Sequence, residues 1–337
     1  MAKISMRDLD RMVADLDIPD ADIAAFLEVL PDESTPFNPI AVPDPAKVEV
    51  PTRLEEIQTD AAVVTGFISF WARERRRRRF ERDLPHSDKP LVYAEGDSWL
   101  QFPFLIEDLI DHLGDDHLIY CSSKPGDTLA NMVMDARRKE YVDELGKLLV
   151  DRRLPIKTFL FSGAGNDVVG KNAEGEAALA AIVKPYDAAR SIAWHIETPA
   201  LARTLAFIEA CYLEVLADID EAFPAHVFPD LKLVIHGYDY SPVRGVPNGD
   251  PRRPAYARDW TGEPLRQLGF PDNAIAGRVV AALIDRTNEM TARVCGANPR
   301  AVHADLRGSV PAHQWADELH PTNEGFAAAT RKLRRFL

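Results

Sequence analysis

A chain of 337 residues, 46% hydrophobic and 28% charged, is long enough for one large α/β domain with an appendage. Its formal net charge of -13 argues against nucleic acid as the main partner, because phosphate binding needs a basic face and this chain as a whole repels polyanions. Cys121, Cys211 and Cys295 are odd in number and lack the paired spacing that holds zinc, so free thiols and no metal are expected. The N-terminal residues include no apolar run of signal-peptide type, and the longest apolar stretches, such as Ala61 to Ala72, fall short of the roughly 20 residues of a membrane span. A cytoplasmic location without membrane contact is the expectation.

In residues 1–32, Ile4, Met6, Leu9, Met12, Val13 and Leu16 recur at near-helical spacing and predict a small helical unit. From Asp32 to about Pro51 prolines recur, each removing a backbone donor, which predicts an extended linker and closes an N-terminal segment at 1–50. Leu54 to Arg82 reads as a helix with an apolar first half and a basic second half, the linking element of residues 51–85. The run Arg75 to Arg79 offers charge-assisted contacts to phosphate, yet Glu74 and Glu81 flank it and Asp83 follows, so pairing within the acidic chain is favoured. A protein partner contacted through residues 1–85 is the alternative.

After Pro85 short apolar runs alternate with helical segments, the pattern of a parallel sheet covered on both faces. Strands are predicted at Leu91 to Glu95, Leu118 to Cys121, Thr158 to Ser162, Leu231 to His236 and Ala301 to His303. Helices are predicted at Phe104 to His112, Leu129 to Leu149, Ala200 to Ala222, Ile275 to Val294 and Asn323 to Phe336. Residues 86–337 thus form an α/β domain with a three-layer α/β/α, flavodoxin-like, doubly wound sheet of five mainly parallel strands. The stretch 170–228 exceeds what a crossover helix requires and is expected to include an insertion or lid.

In such sheets ligands bind beyond the carboxyl ends of the strands, so the residues that follow each strand carry the chemistry. The first strand runs into Gly96-Asp97-Ser98-Trp99, which places a serine hydroxyl at a strand-to-helix junction; a helix cap is the plainer reading. The second is followed by Ser122 to Thr128, where Gly126 lets the backbone approach a ligand. The third leads into Gly163-Ala164-Gly165-Asn166-Asp167, and the Asn166 amide suits a developing oxyanion as well as it suits a turn. Near the C-terminus, Asp317-Glu318-Leu319-His320-Pro321 sets a carboxylate one turn before a histidine, able to accept from one ring nitrogen while the other faces the serine.

These blocks, in this order, resemble those of the GDSL/SGNH hydrolases, from about Lys89 to the C-terminus. The resemblance implies Ser98 as nucleophile, His320 as general base and Asp317 as its orienting carboxylate. It implies an oxyanion hole from the Ser98 and Gly126 N–H groups and the Asn166 side chain, with no cofactor. The first block departs from the commonest pattern: GDSWLQFP lacks the glycine that frequently follows the serine, and Trp99, Phe102 and Phe104 crowd it. Asp97 and Asp167 are expected to hold loop geometry. Trp99 and the polar, aromatic loop of Tyr238, Asp239, Tyr240 and Arg244 are the candidates for substrate lining. The reading is a serine esterase for small acyl groups such as acetyl esters of carbohydrates. An acyltransferase or a lipase/lysophospholipase using the same acyl-enzyme, and a non-catalytic binding protein, are the alternatives.

Overall fold

The computed structural model describes residues 3–30, 40–49, 61–102, 104–134, 139–170, 177–246 and 260–337. At the N-terminus, β1 (Ile4–Ser5) leads into α1 (Met6–Ala14), where the Ser5 hydroxyl accepts from the Asp8 amide at 3.1 Å and the Asp8 carboxylate accepts from the Ser5 amide at 3.2 Å, a reciprocal cap. Leu9 and Val13 of α1 pack with Ile23 of α2 (Asp20–Ala24). The small helical unit expected here holds α1 and α2 but strands as well, and the described part of the expected linker, residues 40–49, contains paired strands. Leu27–Leu30 is strand β2, antiparallel to β3 (Ile40–Pro43), and β1 runs parallel to β4 (Val48–Glu49). Runs of two to four residues carry too little periodicity to read, and each takes its hydrogen bonds from a partner distant in sequence. The prolines from Pro31 to Pro39 and the residues 50–60 lie outside the described residues.

The helix expected from Leu54 to Arg82 is α3 (Ala61–Asp83), and Arg75, Arg76, Arg77 and Arg79 of its basic run are paired within the chain. Arg75 is 1% exposed; its guanidinium donates to the carbonyls of Met12, Val13, Asp15 and Ile18 and to the Asp20 carboxylate, which Arg79 also meets at 2.7 Å. Arg76 donates instead to the Leu100 carbonyl, the Gln101 side chain, Asp108 and Asp111, and Arg77 pairs with Glu144. The basic run thereby ties the N-terminal unit on one side of α3 to the loops of the larger domain on the other. Arg75→Ala leaves several carbonyls of the N-terminal unit without their donor and Asp20 with Arg79 alone. The expected cost is about 3–5 kcal/mol, the range for breaking a buried ion pair, read as a lowered denaturation midpoint.

The apolar runs after Pro85 form one sheet: β5 (Leu91–Glu95), β6 (Leu118–Cys121), β7 (Thr158–Phe161), β8 (Lys232–His236) and β9 (Ala301–Ala304). All its pairings are parallel and the order is β6-β5-β7-β8-β9, the flavodoxin-like arrangement. Side chains alternate between two buried faces. Tyr93, Phe159, Phe161, Leu233 and Ile235 meet the helices of one layer, and Val92, Ala94, Leu160 and Val234 those of the other. The connecting helices are α4 (Leu109–Leu113), α5 (Glu140–Gly146), α6 (Gly165–Val169), α7 (Ala178–Ile182), α8 (Ile192–Ile196), α9 (Pro199–Ala222), α10 (Gly262–Gln267), α11 (Asn273–Gly296) and α12 (Asn323–Leu333). Helices α5, α9 and α11 cover the first face, α4 and α12 the second, and α3 packs against the edge strand β6, shielding its unpaired backbone.

Two predicted helices are shorter than their patterns. The one expected from Phe104 begins only at Leu109, because Asp108 caps it by accepting from the Ile110 and Asp111 amides. The one expected over Leu129 to Leu149 is divided: wide turns at Ala130–Met134 and Lys147–Asp151 stand on either side of α5, and residues 135–138 lie outside the described residues. Within 170–228, α9 is a layer of the core, burying Ile208, Tyr212 and Val215, so that part is no lid. Residues 171–176 lie outside the described residues. Among the described residues no helix is long and apolar enough to cross a membrane.

Candidate active site

Where β5 ends, its backbone crosses close to β7. A Cβ on Gly96 would lie 2.5 Å from the Ser162 carbonyl oxygen, so only glycine lets the chain turn there. Asp97 then anchors the turn: its carboxylate accepts from the Trp99 amide at 3.0 Å, from the Ser162 hydroxyl at 2.8 Å and from the Tyr238 hydroxyl. Asp167 does the same for the neighbouring loop by accepting from the Leu129 amide at 3.0 Å; burial pushes its carboxyl up to about 6. Both aspartates hold loop geometry, as their positions in the sequence suggest.

This scaffold brings Ser98, His320 and Asp317 together. Ser98 Oγ stands 2.9 Å from His320 Nε2, and His320 Nδ1 stands 2.9 Å from Asp317 Oδ2. The last three-residue turn is internally braced, since Asp317 Oδ1 also accepts from the Leu319 and His320 amides at 2.7 and 2.6 Å. All three side chains are buried. Burial alone would raise the Asp317 carboxyl, but the His320 ring and the backbone donors outweigh it and hold it below the ordinary carboxylate range. An ionised Asp317 keeps the proton on Nδ1 and leaves Nε2 as the acceptor for the Ser98 hydroxyl. The Phe102 ring packs edge-on against the imidazole at 4.8 Å, and Trp99 Nε1 donates to the Leu319 carbonyl at 3.2 Å, fixing the histidine loop over the serine turn.

Asn166 follows Ala164, which sits in the left-handed region at φ 86°. Such a conformation in a residue with a Cβ costs of order 1 kcal/mol or more and is retained where the surroundings over-determine it. The Asn166 amide donates one hydrogen to the Asp127 carbonyl at 2.5 Å, which fixes its orientation and leaves a second hydrogen for a ligand. Gly126 lies at φ 75°, one residue before that carbonyl, and is not part of the cleft wall.

Ser98, Asn166 and His320 open onto a cleft of about 730 Å³ counting its solvent-facing mouth. Its far wall is apolar, built from Val168, Leu179, Val280, Leu283 and Ile284. Of the residues read as substrate-lining, Trp99, Tyr238 and Asp239 border this cleft, but two placements need correction. Tyr240 points to Asp285, and the Arg244 guanidinium donates to the Trp315 and Ala316 carbonyls, so neither lines it. Asp239 is bound to the Gly308 and Val310 amides. Phe102 and Phe104 are not in the wall either: Phe102 is buried against His320 and Phe104 packs on the N-terminal unit. The helical stripe Val280, Leu283, Ile284 and Thr287 was readable as periodic, but nothing local tells which stripe of α11 meets the cleft. Glu318 was also missed; its carboxylate accepts from four amides, those of Arg244, Gly245, Thr261 and Gly262.

Among the described residues no group of three or more His, Cys, Asp or Glu is arranged to hold a metal ion. All three cysteines are free and buried. Glu95, three residues before Ser98, is buried, and this together with the nearby Asp127 raises its carboxyl to about 8. The folded state therefore binds a proton that the unfolded chain has released, and stability falls as pH rises from about 4.5 to about 8. Glu95→Gln is expected to flatten that slope, by up to about 1.4 kcal/mol per pH unit, in denaturant titrations across this window.

No family model matches the chain, and the search of curated proteins found no match. Among solved structures it is similar to a protein from Streptococcus pneumonia taken to be a platelet activating factor, at 11% identity and a TM-score of 0.42, over 83% of this chain and 98% of that one. It is also similar to a protein from Parabacteroides merdae taken to be a GDSL-like lipase (9%, TM-score 0.37, 73% and 94%). An acetylxylan esterase from Geobacillus stearothermophilus is a third (14%, TM-score 0.33, 74% and 94%). At these scores the likenesses define neither a family nor an activity for this chain.

Proposed function

We propose that the protein is a serine hydrolase of carboxylic esters, in which Ser98 is the nucleophile, His320 the general base and Asp317 the orienting carboxylate. The observation that carries this reading is the continuous hydrogen-bonded line Ser98 Oγ, His320 Nε2, His320 Nδ1, Asp317 Oδ2, with 2.9 Å at each link, opening onto a cleft. In the first half-reaction Ser98 Oγ forms a bond to the ester carbonyl carbon while His320 Nε2 takes the hydroxyl proton. The tetrahedral intermediate then breaks its bond to the alkoxy oxygen, which leaves as an alcohol with that proton. Water repeats the sequence on the acyl-enzyme and releases the acid. Negative charge on the carbonyl oxygen is met by the Ser98 N–H and the Asn166 amide, while Gly126, outside the cleft wall, shapes the loop that Asn166 grips and is not counted as a donor.

Ester preference follows from the wall. The apolar side chains of α6, α7 and α11 suit an apolar acyl group larger than acetyl, which favours the longer-acyl alternative over small acetyl esters of carbohydrates. The test is a p-nitrophenyl ester series from acetyl upward, run beside fluorophosphonate labelling with the modified residue located by mass. Turnover that rises with acyl length and a label on Ser98 are expected; a label elsewhere, or none, sinks the reading.

A further inference from the structure

The polar side chains that border the cleft are nearly all spoken for. The Tyr238 hydroxyl donates to Asp97, Trp99 Nε1 to the Leu319 carbonyl and the Thr287 hydroxyl to the Leu283 carbonyl. Asn288 uses its amide on the Ile284 carbonyl and its oxygen on His303, and Asp239 is bound to backbone amides. Thr261 differs. Its side chain is completely buried, it borders the cleft, and its hydroxyl has no hydrogen-bond partner among the described residues. A buried hydroxyl without a partner carries a desolvation penalty that a ligand atom can relieve.

The backbone of Thr261 is held with unusual firmness. Glu318, 2% exposed and next to Asp317, accepts from the Thr261 and Gly262 amides at 2.7 and 2.9 Å through one oxygen and from the Arg244 and Gly245 amides at 2.6 and 3.1 Å through the other. The same turn that sets His320 over Ser98 therefore also sets Thr261 in the cleft wall. A Cβ on Gly262 would come within 2.6 Å of Gly245 and 2.7 Å of Glu318 Oε1, so the clamp closes only around glycine.

We infer that the Thr261 hydroxyl is a specificity-determining hydrogen-bonding group for the substrate, held in register with the serine by Glu318, and that the favoured esters carry an oxygen substituent on an otherwise apolar acyl chain. This rests on the esterase reading above. The site is a buried, unpartnered hydroxyl beside an apolar wall, which selects a hydroxyacyl or oxoacyl chain over its plain aliphatic counterpart because the latter leaves the threonine unpaired.

The test compares p-nitrophenyl hexanoate with a positional series of hydroxyhexanoate esters, using wild type, Thr261→Val and Glu318→Gln. Wild type is expected to prefer at least one hydroxylated ester about tenfold in kcat/KM, mainly through KM. Thr261→Val should erase that preference, bringing kcat/KM for the hydroxylated ester down to that for the plain one. Its melting temperature should stay level or rise, since an unpartnered hydroxyl becomes a methyl. Glu318→Gln should weaken the same preference and speed hydrogen exchange at the Thr261 and Gly262 amides. Equal wild-type rates on plain and hydroxylated esters, or a Thr261→Val variant that loses both alike or melts earlier, would overturn the inference and leave the esterase reading standing. A wild type that neither turns over any ester nor labels at Ser98 would bring down both.

Discussion

Ser98→Ala is expected to lower kcat/KM for the best p-nitrophenyl ester by roughly 10⁴–10⁶-fold with the fold intact, and His320→Ala to do the same. The two side chains act through one hydrogen bond of 2.9 Å, so the double variant should be no slower than either single one. The residual rate should come from the donors that remain, chiefly the Asn166 amide, which is fixed by its bond to the Asp127 carbonyl rather than by the serine. Circular dichroism at matched concentration separates loss of chemistry from loss of structure. A Ser98→Ala protein retaining a tenth of wild-type turnover would refute the nucleophile assignment.

Asp317→Asn is the second large effect, expected to cost about 10⁴-fold in kcat near neutral pH. An asparagine amide presents N–H to His320 Nδ1, which favours the tautomer with its proton on Nε2, and such a ring cannot accept from Ser98. The wild-type carboxyl lies below its ordinary value of 3.8, so it is ionised across the acid-to-neutral range and does not set the acid limb of activity. The sign for stability follows from the same depression. The charged Asp317 contributes stability that is fully present above about 3.8 and is lost as pH falls through the lower folded value. In Asp317→Asn this part of the acid transition should disappear, which acid titration of the two proteins would show. A variant with unchanged kcat would mean that His320 is oriented by other contacts.

The blocks that bear Ser98, Asn166, Asp317 and His320 were legible because each lies directly after a strand or before a helix, where the chain must turn and where glycine and proline leave marks in the sequence. Gly96 is one such mark, and the structure supplies its reason in the close approach of β5 to Ser162. The sheet was equally legible, since apolar runs four or five residues long, separated by helical patterns, have few solutions other than strands buried on both faces. The N-terminal unit was misread in part because β2, β3 and β4 are short and pair with partners far along the chain.

The loop after β8 shows the limit most clearly. Tyr238, Asp239, Tyr240 and Arg244 look alike as candidates in sequence, yet Tyr238 braces Asp97, Asp239 binds the Gly308 and Val310 amides, Tyr240 meets Asp285 and Arg244 caps carbonyls of the histidine loop. Thr261 and Glu318 carried no local signal at all; one is an ordinary threonine and the other an ordinary glutamate until burial and partners are known.

The parallel sheet, the order of its elements and the residue types waiting at its carboxyl edge follow from local pattern, because hydrophobic periodicity and turn chemistry are properties of neighbours along the chain. Which stripe of α11 walls the cleft, that Arg75 and Arg79 clasp the N-terminal unit, and that the Thr261 hydroxyl finds no partner among the described residues emerge from long-range packing alone. Those outcomes depend on which surfaces meet and which donors find acceptors across long separations, and burial converts such pairings into energies that no local pattern records.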